Sequence, residues 1–286
     1  KEIAIAAIQA GADAVYIGAP HFGARYAASN TLEDIAQVVS YAHLYKVEVL
    51  VTLNTLLHDD EYEQAVNLAH DLYSIGVDAL IIQDLRLLDY PLPPIRLHAS
   101  TQCDNRTIQQ VQYLESKGFS RVVLARELSI EEIQAIRHNT SIELEAFIHG
   151  ALCVSYSGKC YISEVLMERS ANRGCCAQFC RMRYDLLDEN MEEIKDAEGK
   201  PIHQRYLLSL QDMDRSLNLA QMIEAGVTTF KIEGRLKDKD YVTNIVAYYR
   251  QLLDPIIASN LNLQQASTPS IQTYNFTPNP AKTFHR

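Results

Sequence analysis

The sequence predicts an α/β fold, a TIM-like (β/α) barrel, and three observations carry that expectation. First, four segments share one design: "GADAVYIG" from Gly11, "GVDALIIQD" from Gly76, "GFSRVVLAR" from Gly118 and "GVTTFKIEG" from Gly226. Each opens on a glycine where a helix would end, because glycine enters the left-handed cap conformation without strain, and then runs into a short β-rich strand. Second, amphipathic helical patterns precede these glycines. In "YEQAVNLAHDLYSIG", Ala65, Val66, Ala69, Leu72 and Tyr73 recur at helical spacing, and Ile108, Val111 and Leu114 do so before Gly118. Third, polar residues gather where strands end, which is where a (β/α) barrel builds its active site.

Taken in chain order, "KEIAIAAIQAG" is already helical, so an eight-stranded barrel is expected to have a further strand ahead of Lys1. Thr31 and Asp34 form a weak capping pattern opening "TLEDIAQVVSYAH", and Ser129 with Glu132 forms a full capping box opening "SIEEIQAI". The runs "VEVLVTLN" (47–54), "IRLHAS" (95–100) and "IELEAFIHG" (142–150) bring the strand candidates to seven. Most are continuous apolar runs, as expected of parallel strands covered on both faces. Their ends carry Asn54, Gln83, Asp84, His98, Ser100, Gln102, Arg126, His149, Lys231, Glu233 and Arg235.

The barrel is expected to occupy residues 1–254 and to hold two excursions before its last strand. One is a cysteine-rich insertion at 151–183. The other, at 184–210, alternates strand-like ends around an acidic, turn-rich centre and is expected to be a β-hairpin. Beyond Pro255 the composition shifts to Gln, Asn, Ser, Thr and Pro, which predicts an extended tail or the start of a truncated following domain over 255–286.

Hydrophobic residues make up 47 % of the chain and charged residues 22 %, values of an ordinary globular protein. No apolar run is long enough to cross a bilayer and no secretory leader pattern opens the sequence, so the expected compartment is the cytoplasm. The formal charge of −10 argues against indiscriminate nucleic-acid binding over the whole surface. Locally the sign reverses: Lys159, Arg169, Arg173, Arg181 and Arg183 stand against only Glu164 and Glu168. Such a run reads either as a phosphate-binding face or as a solvated loop whose arginines pair with nearby carboxylates.

Five of the six cysteines fall within "CVSYSGKCYISEVLMERSANRGCCAQFC", residues 153–180. Clustered thiols in a reducing compartment bind metal or do chemistry more often than they form disulfides. Cys153, Cys160, Cys176 and Cys180 are spaced C-x6-C-x15-C-x3-C, with Gly150, Gly158 and Gly174 beside them. Four thiolates on glycine-containing loops suit an iron–sulfur core. Zinc would take the same four sulfurs, although its usual C-x2-C knuckles are absent. Cys175 is an alternative to Cys176, and Cys103 is open between ligand, reactive thiol and buried small residue. A nucleophilic reading would pair His149 with Cys153 or use Ser155 or Ser157, but neither H-E-x-x-H nor G-x-S-x-G is present.

Together "EAFIHGALCVSYSGKCYIS", "NRGCCAQFCRMRY" and "FKIEGRLKDKDYV" resemble the peptidase U32 family, the collagenase-like proteins, and the resemblance runs from "GADAVYIG" to about residue 254. That resemblance implies either proteolysis or, as in the family's RNA-modifying members, hydroxylation of tRNA uridine or 23S ribosomal RNA cytidine. The hydroxylating members imply a 4Fe-4S cluster, with Cys153, Cys160, Cys176 and Cys180 as its ligands, and prephenate as co-substrate. In this reading Asn54, His98, Gln102, Lys231, Glu233 and Arg235 face a shared catalytic cavity. Lys231 and Arg235 would bind a carboxylate, while Arg173, Arg181 and Arg183 would contact RNA phosphate. The bland counterparts are a mutually neutralising Lys231–Glu233 pair inside the barrel and an Arg235 that caps strand carbonyls. A non-catalytic, zinc-stabilised binding protein is the remaining class.

Overall fold

The computed structural model describes residues 1–24, 30–234, 237–260, 263 and 275–283. All seven expected strands form: β1 (Ala14–Gly18), β2 (Glu48–Leu53), β3 (Ala79–Ile82), β4 (Arg96–Ala99), β5 (Arg121–Val123), β6 (Glu143–Gly150) and β8 (Val227–Ile232). They pair in parallel, β1 to β6 in sequence and β8 onto β6, giving an α/β architecture around one curled, parallel-dominated sheet. An additional two-residue strand, β7 (Met213–Asp214), lies antiparallel against the end of β6. It is too short to announce itself by alternation. Among the described residues β1 and β8 are not paired. The Tyr16 hydroxyl on β1 instead reaches the Ile232 carbonyl on β8 at 3.4 Å.

Helices α1 (Glu2–Gln9), α2 (Leu32–Leu44), α3 (Tyr62–Ser74), α4 (Ile108–Ser116), α5 (Ile130–His138), α7 (Leu219–Glu224) and α8 (Lys239–Ala258) alternate with these strands, and a short α6 (Ile162–Met167) lies in the cysteine region. The main core joins one face of the strands, with Val15, Val49, Leu80, Val122 and Leu144, to the apolar stripes of the helices, with Val38, Ala65, Leu72, Val111 and Ile136. Residues one register step away, Leu50, Ala79 and Ile81 with Ala14 and Tyr16, pack together on the opposite, inner face. This is the period-two alternation of a sheet buried on both sides. The glycines opening the repeated junctions have positive φ, for example 87° at Gly76 and 95° at Gly226, as the left-handed cap requires.

The caps also form. The Ser129 hydroxyl accepts from the Glu132 N–H at 3.2 Å, and the Glu132 carboxylate accepts from the Ser129 N–H at 2.7 Å. Thr31 accepts from the Asp34 N–H at 3.1 Å, but its hydroxyl donates to the Asp34 carboxylate, so this box is half made.

Two expectations change. The excursion over 184–210 is not one hairpin but three extended segments joined by isolated antiparallel bridges, Tyr184 with Arg205, Leu187 with Glu193 and Lys195 with Pro201. Asp188 and Asp196 each accept two backbone N–H groups of a tight turn, so two turns fall in a stretch too short for regular ladders. The boundary at Pro255 also moves, because α8 runs on to Ala258 with Pro255 inside it. Residues 275–283 return to α8, where Asn244 and Asn279 exchange two 2.8 Å hydrogen bonds.

Removing the Ser129 cap leaves the first turn of α5 with unsatisfied N–H groups. Ser129→Ala is expected to lower the free energy of unfolding by about 1 kcal/mol in urea denaturation.

Candidate cysteine-lined active site

The cysteine region lies across the carboxyl ends of β2, β3 and β4. Leu56, just after β2, donates its N–H to the Asn172 carbonyl at 3.0 Å, and Gln83, just after β3, reaches the Asn172 side-chain oxygen at 3.4 Å. Gly158 sits directly on the backbone of Gln102. Any Cβ there would run into the Gln102 carbonyl, and φ is 79°, so only glycine lets the two chains approach this closely.

All six cysteines are free thiols. Cys153, Cys176 and Cys180 line one cavity of about 920 Å³. Burial raises the Cys180 thiol pKa most, partly countered by Arg181, and the neighbouring Cys153, Cys176 and Cys160 raise it further. Cys153, Cys160 and Cys176 therefore all lie near enough to Cys180 for their charge to act on it. Cys175 is absent from that set. It acts instead on the Arg173 guanidinium, on the other side of the Cys175–Cys176 peptide. The Cys176 sulfur accepts the Gln178 N–H at 3.4 Å. Among the described residues no three His, Cys, Asp or Glu side chains already stand in the geometry that holds a single metal ion.

The four thiols match in number and kind the donors of a thiolate-bound iron–sulfur centre, three of them lining the cavity and Cys160 standing outside its lining. Cys103 is not part of this set. Its thiol is buried against the Ile82 and Gln83 carbonyls, and burial pushes its pKa up to about 12, so it is a packed small residue rather than a reactive thiol.

Contrary to the expectation from the sequence, the strand-end candidates do not all share one cavity with the cysteines. Asn54, His98, Gln102 and Lys231 do not line the cysteine cavity, and only Glu233 of the described catalytic candidates does. Asn54 donates to Ser100 at 3.2 Å and to Gln102 at 3.1 Å, an amide network roofed by the cysteine loop. Lys231 points to the inner face of the sheet and pairs with Glu145 at 2.6 Å, both side chains being under 10 % exposed. Arg121 joins them, 3.6 Å from Glu145 and 2.8 Å from Glu143. The neutralising partner of Lys231 is thus Glu145, not Glu233, because Glu145 and Lys231 face each other across adjacent strands on the buried side. Arg235 lies outside the described residues.

His98 is 1 % exposed and neither ring nitrogen has a hydrogen-bond partner. Burial first, then the charges of Arg121, Lys231 and Arg96, push its pKa down to about 2. It is therefore held as the neutral imidazole at physiological pH.

Glu233 pairs with Arg126 at 2.9 Å, and the Arg126 guanidinium lies 3.8 Å above the Phe147 ring. Arg126, Lys237 and Tyr241 complete this wall, and residues 276–283 close the far side. In the sequence Arg126 stands out only as a strand-end residue, and Lys237 and Tyr241 belong to no catalytic motif. Their one local signal is Asp238, which caps α8 by accepting the Tyr241 N–H at 2.7 Å and so fixes both at a helix start. A β-bulge near the end of β6, where pairing steps from Phe147–Lys231 to His149–Ile232, accompanies the placement of the buried His149 beside Tyr249, 3.2 Å from its hydroxyl.

Two of the three arginines expected on RNA are engaged within the protein. Arg173 makes a bidentate pair with Glu61, both contacts 2.8 Å, and also donates to the Leu56 carbonyl. Its hydrogen bonds draw the Glu61 pKa down to about 2. Arg181 donates to Ser209 at 2.8 Å and to the Leu210 and Leu152 carbonyls. Both fasten the loop. Arg183 is exposed, with its guanidinium 5.2 Å from the centre of the Tyr206 ring.

A family model described as peptidase family U32 matches residues 1–285. The chain belongs to the peptidase U32 family. Among its U32 relatives, the 23S rRNA 5-hydroxycytidine C2501 synthase of Escherichia coli (strain K12) is 53 % identical over 99 % of this chain and 42 % of its own length. The tRNA hydroxylation protein P1 of Bacillus subtilis (strain 168) is 37 % identical over 90 % of this chain and 61 % of its own. A protein named collagenase from Porphyromonas gingivalis is 31 % identical over 88 % and 63 %. The chain therefore spans between about two fifths and two thirds of the length of these relatives. Among the described residues no helix is long and apolar enough to cross a membrane.

The buried His98 generates a pH test. Its pKa in the folded state lies below the ordinary 6.5, so the unfolded chain binds the extra proton as pH falls and draws the equilibrium toward itself. Relative to a His98→Gln variant, the wild type is expected to lose up to about 1.4 kcal/mol of stability per pH unit below about pH 6.5. Urea denaturation of both proteins between about pH 7.5 and pH 5.5 measures the difference, and a constant gap would contradict the placement.

Proposed function

We propose that this chain carries the cysteine-ligated catalytic region of an iron–sulfur-dependent RNA hydroxylase acting on cytidine of 23S ribosomal RNA in the cytoplasm. The observation that carries the proposal is 53 % identity to a 23S rRNA 5-hydroxycytidine synthase over 99 % of the chain. The gathering of Cys153, Cys160, Cys176 and Cys180 supports it independently. The curled sheet, in this reading, is most of a TIM-like barrel whose carboxyl-terminal strand ends carry the chemistry.

Cys153, Cys160, Cys176 and Cys180 would hold a 4Fe-4S cluster, which when bound supplies one-electron redox chemistry beside the cavity. Zinc fits less well. Tetrahedral Zn–S bonds of about 2.3 Å need sulfurs drawn together more tightly than for a cluster, and no three donors among the described residues meet an ion's geometry. The cavity walls would do the binding. Arg126, paired with Glu233, and Lys237, 3.9 Å from Asp212, are cationic groups of the cavity wall, and we assign them the carboxylate of a prephenate-like co-substrate in place of Lys231, which does not line that cavity. Glu233 would orient Arg126. Exposed Arg183 is the member of the arginine set suited to RNA phosphate.

The likeness to the protein named collagenase keeps peptidase activity as the second reading, at lower identity.

Nucleoside mass spectrometry of large-subunit RNA tests the proposal. Cells lacking the protein are expected to lose 5-hydroxycytidine and to regain it with the wild-type gene but not with the Cys176→Ala, Cys180→Ala double variant. Unchanged nucleosides, or full rescue by the double variant, would refute it. In the same cells Lys237→Ala is expected to reduce the modification and Lys237→Arg to restore part of it, because the role assigned is electrostatic.

A further inference from the structure

The four thiols come from two separate lengths of chain, 153–160 and 176–180, and each buried polar contact between those lengths limits how far the sulfurs can drift apart. Besides Arg181, which donates to the Leu152 carbonyl, two buried side chains among the described residues make such contacts, and neither is a donor to metal. Asn172, 3 % exposed, donates from its amide to the Gly158 carbonyl at 3.1 Å, two residues before Cys160. Its oxygen faces the Gln83 amide at 3.4 Å and its carbonyl accepts the Leu56 N–H at 3.0 Å. One residue thus ties the first half of the loop to the second and both to β2 and β3. Ser163, fully buried in the first turn of α6, accepts the Ala177 N–H at 3.0 Å, one residue after Cys176.

We propose that Asn172 and Ser163 are positioning residues that hold the two halves of the cysteine loop in register, so that Cys160 and Cys176 stand ready before any inorganic centre arrives. This rests on the iron–sulfur reading given above. Burial makes the contacts matter, because a buried amide or hydroxyl left without its partner loses hydrogen bonding that water cannot replace, which favours a displaced loop. Asn172 cannot be replaced by an isosteric aspartate, which keeps the oxygens but has no N–H for Gly158. Partners of this kind, one step removed from the donors, govern metal affinity by about 10- to 100-fold when removed.

The test uses the full chain, reconstituted anaerobically with iron and sulfide, and follows loss of its visible absorbance to an iron chelator. Asn172→Asp and Ser163→Ala, each shown to unfold cooperatively, are expected to lose iron about 10- to 100-fold faster than wild type. Loss at the wild-type rate in both variants overturns the proposal, whereas a wild type that takes up no iron overturns the iron–sulfur reading instead. Amide hydrogen exchange of the metal-free wild type needs no variant. The Ala177 and Leu56 N–H groups are expected to be protected at least 100-fold over free peptide rates, on the order of 3 kcal/mol of local stability. Exchange of both at free rates would show that the loop is not held before metal binds, and the proposal would fall.

Discussion

The close approach of Gly158 to the backbone of Gln102 is the contact on which the site depends. It seats a loop with little regular secondary structure on the carboxyl ends of β2 to β4, and it does so only because no Cβ intervenes. Once seated, the loop is held by side-chain hydrogen bonds: Asn172 beneath it, and Arg173 and Arg181 at its flanks. That order explains why a segment rich in exposed apolar side chains, among them Val165 and Leu166, still presents Cys153, Cys176 and Cys180 to one cavity.

The inner face of the sheet is a separate electrostatic compartment. Glu145 sits between Lys231 and Arg121, and this pairing keeps two cations buried where either alone would be costly. His98 responds by remaining neutral. The charged wall of the cysteine cavity lies instead at the rim, formed by Glu233, Arg126 and the start of α8.

Much of the fold was legible because it is local. Helix-ending glycines, the Ser129–Glu132 box and the apolar strand runs each declare themselves within a few residues, and all seven strands appear where those signals stand. The cysteine cluster was legible for a similar reason, since five of the six cysteines fall within residues 153–180, although spacing left Cys175 and Cys176 as alternatives. What the sequence could not reveal is partnership at a distance. Lys231 meets Glu145 through strand register 86 residues away, and Arg173 meets Glu61 across 112. The cavity wall from Lys237 to Tyr241 and from 276 to 283 exists only once α8 and the returning segment lie together. The excursion at 184–210 misled because two Asx turns were compressed into what resembled one hairpin centre.

The account stands or falls on four sulfurs enclosing one inorganic centre. Iron, acid-labile sulfide and zinc determined on the same anaerobically purified sample test this most directly. About four iron and four sulfide per chain, with zinc near zero, are predicted. One zinc per chain without sulfide would contradict the account.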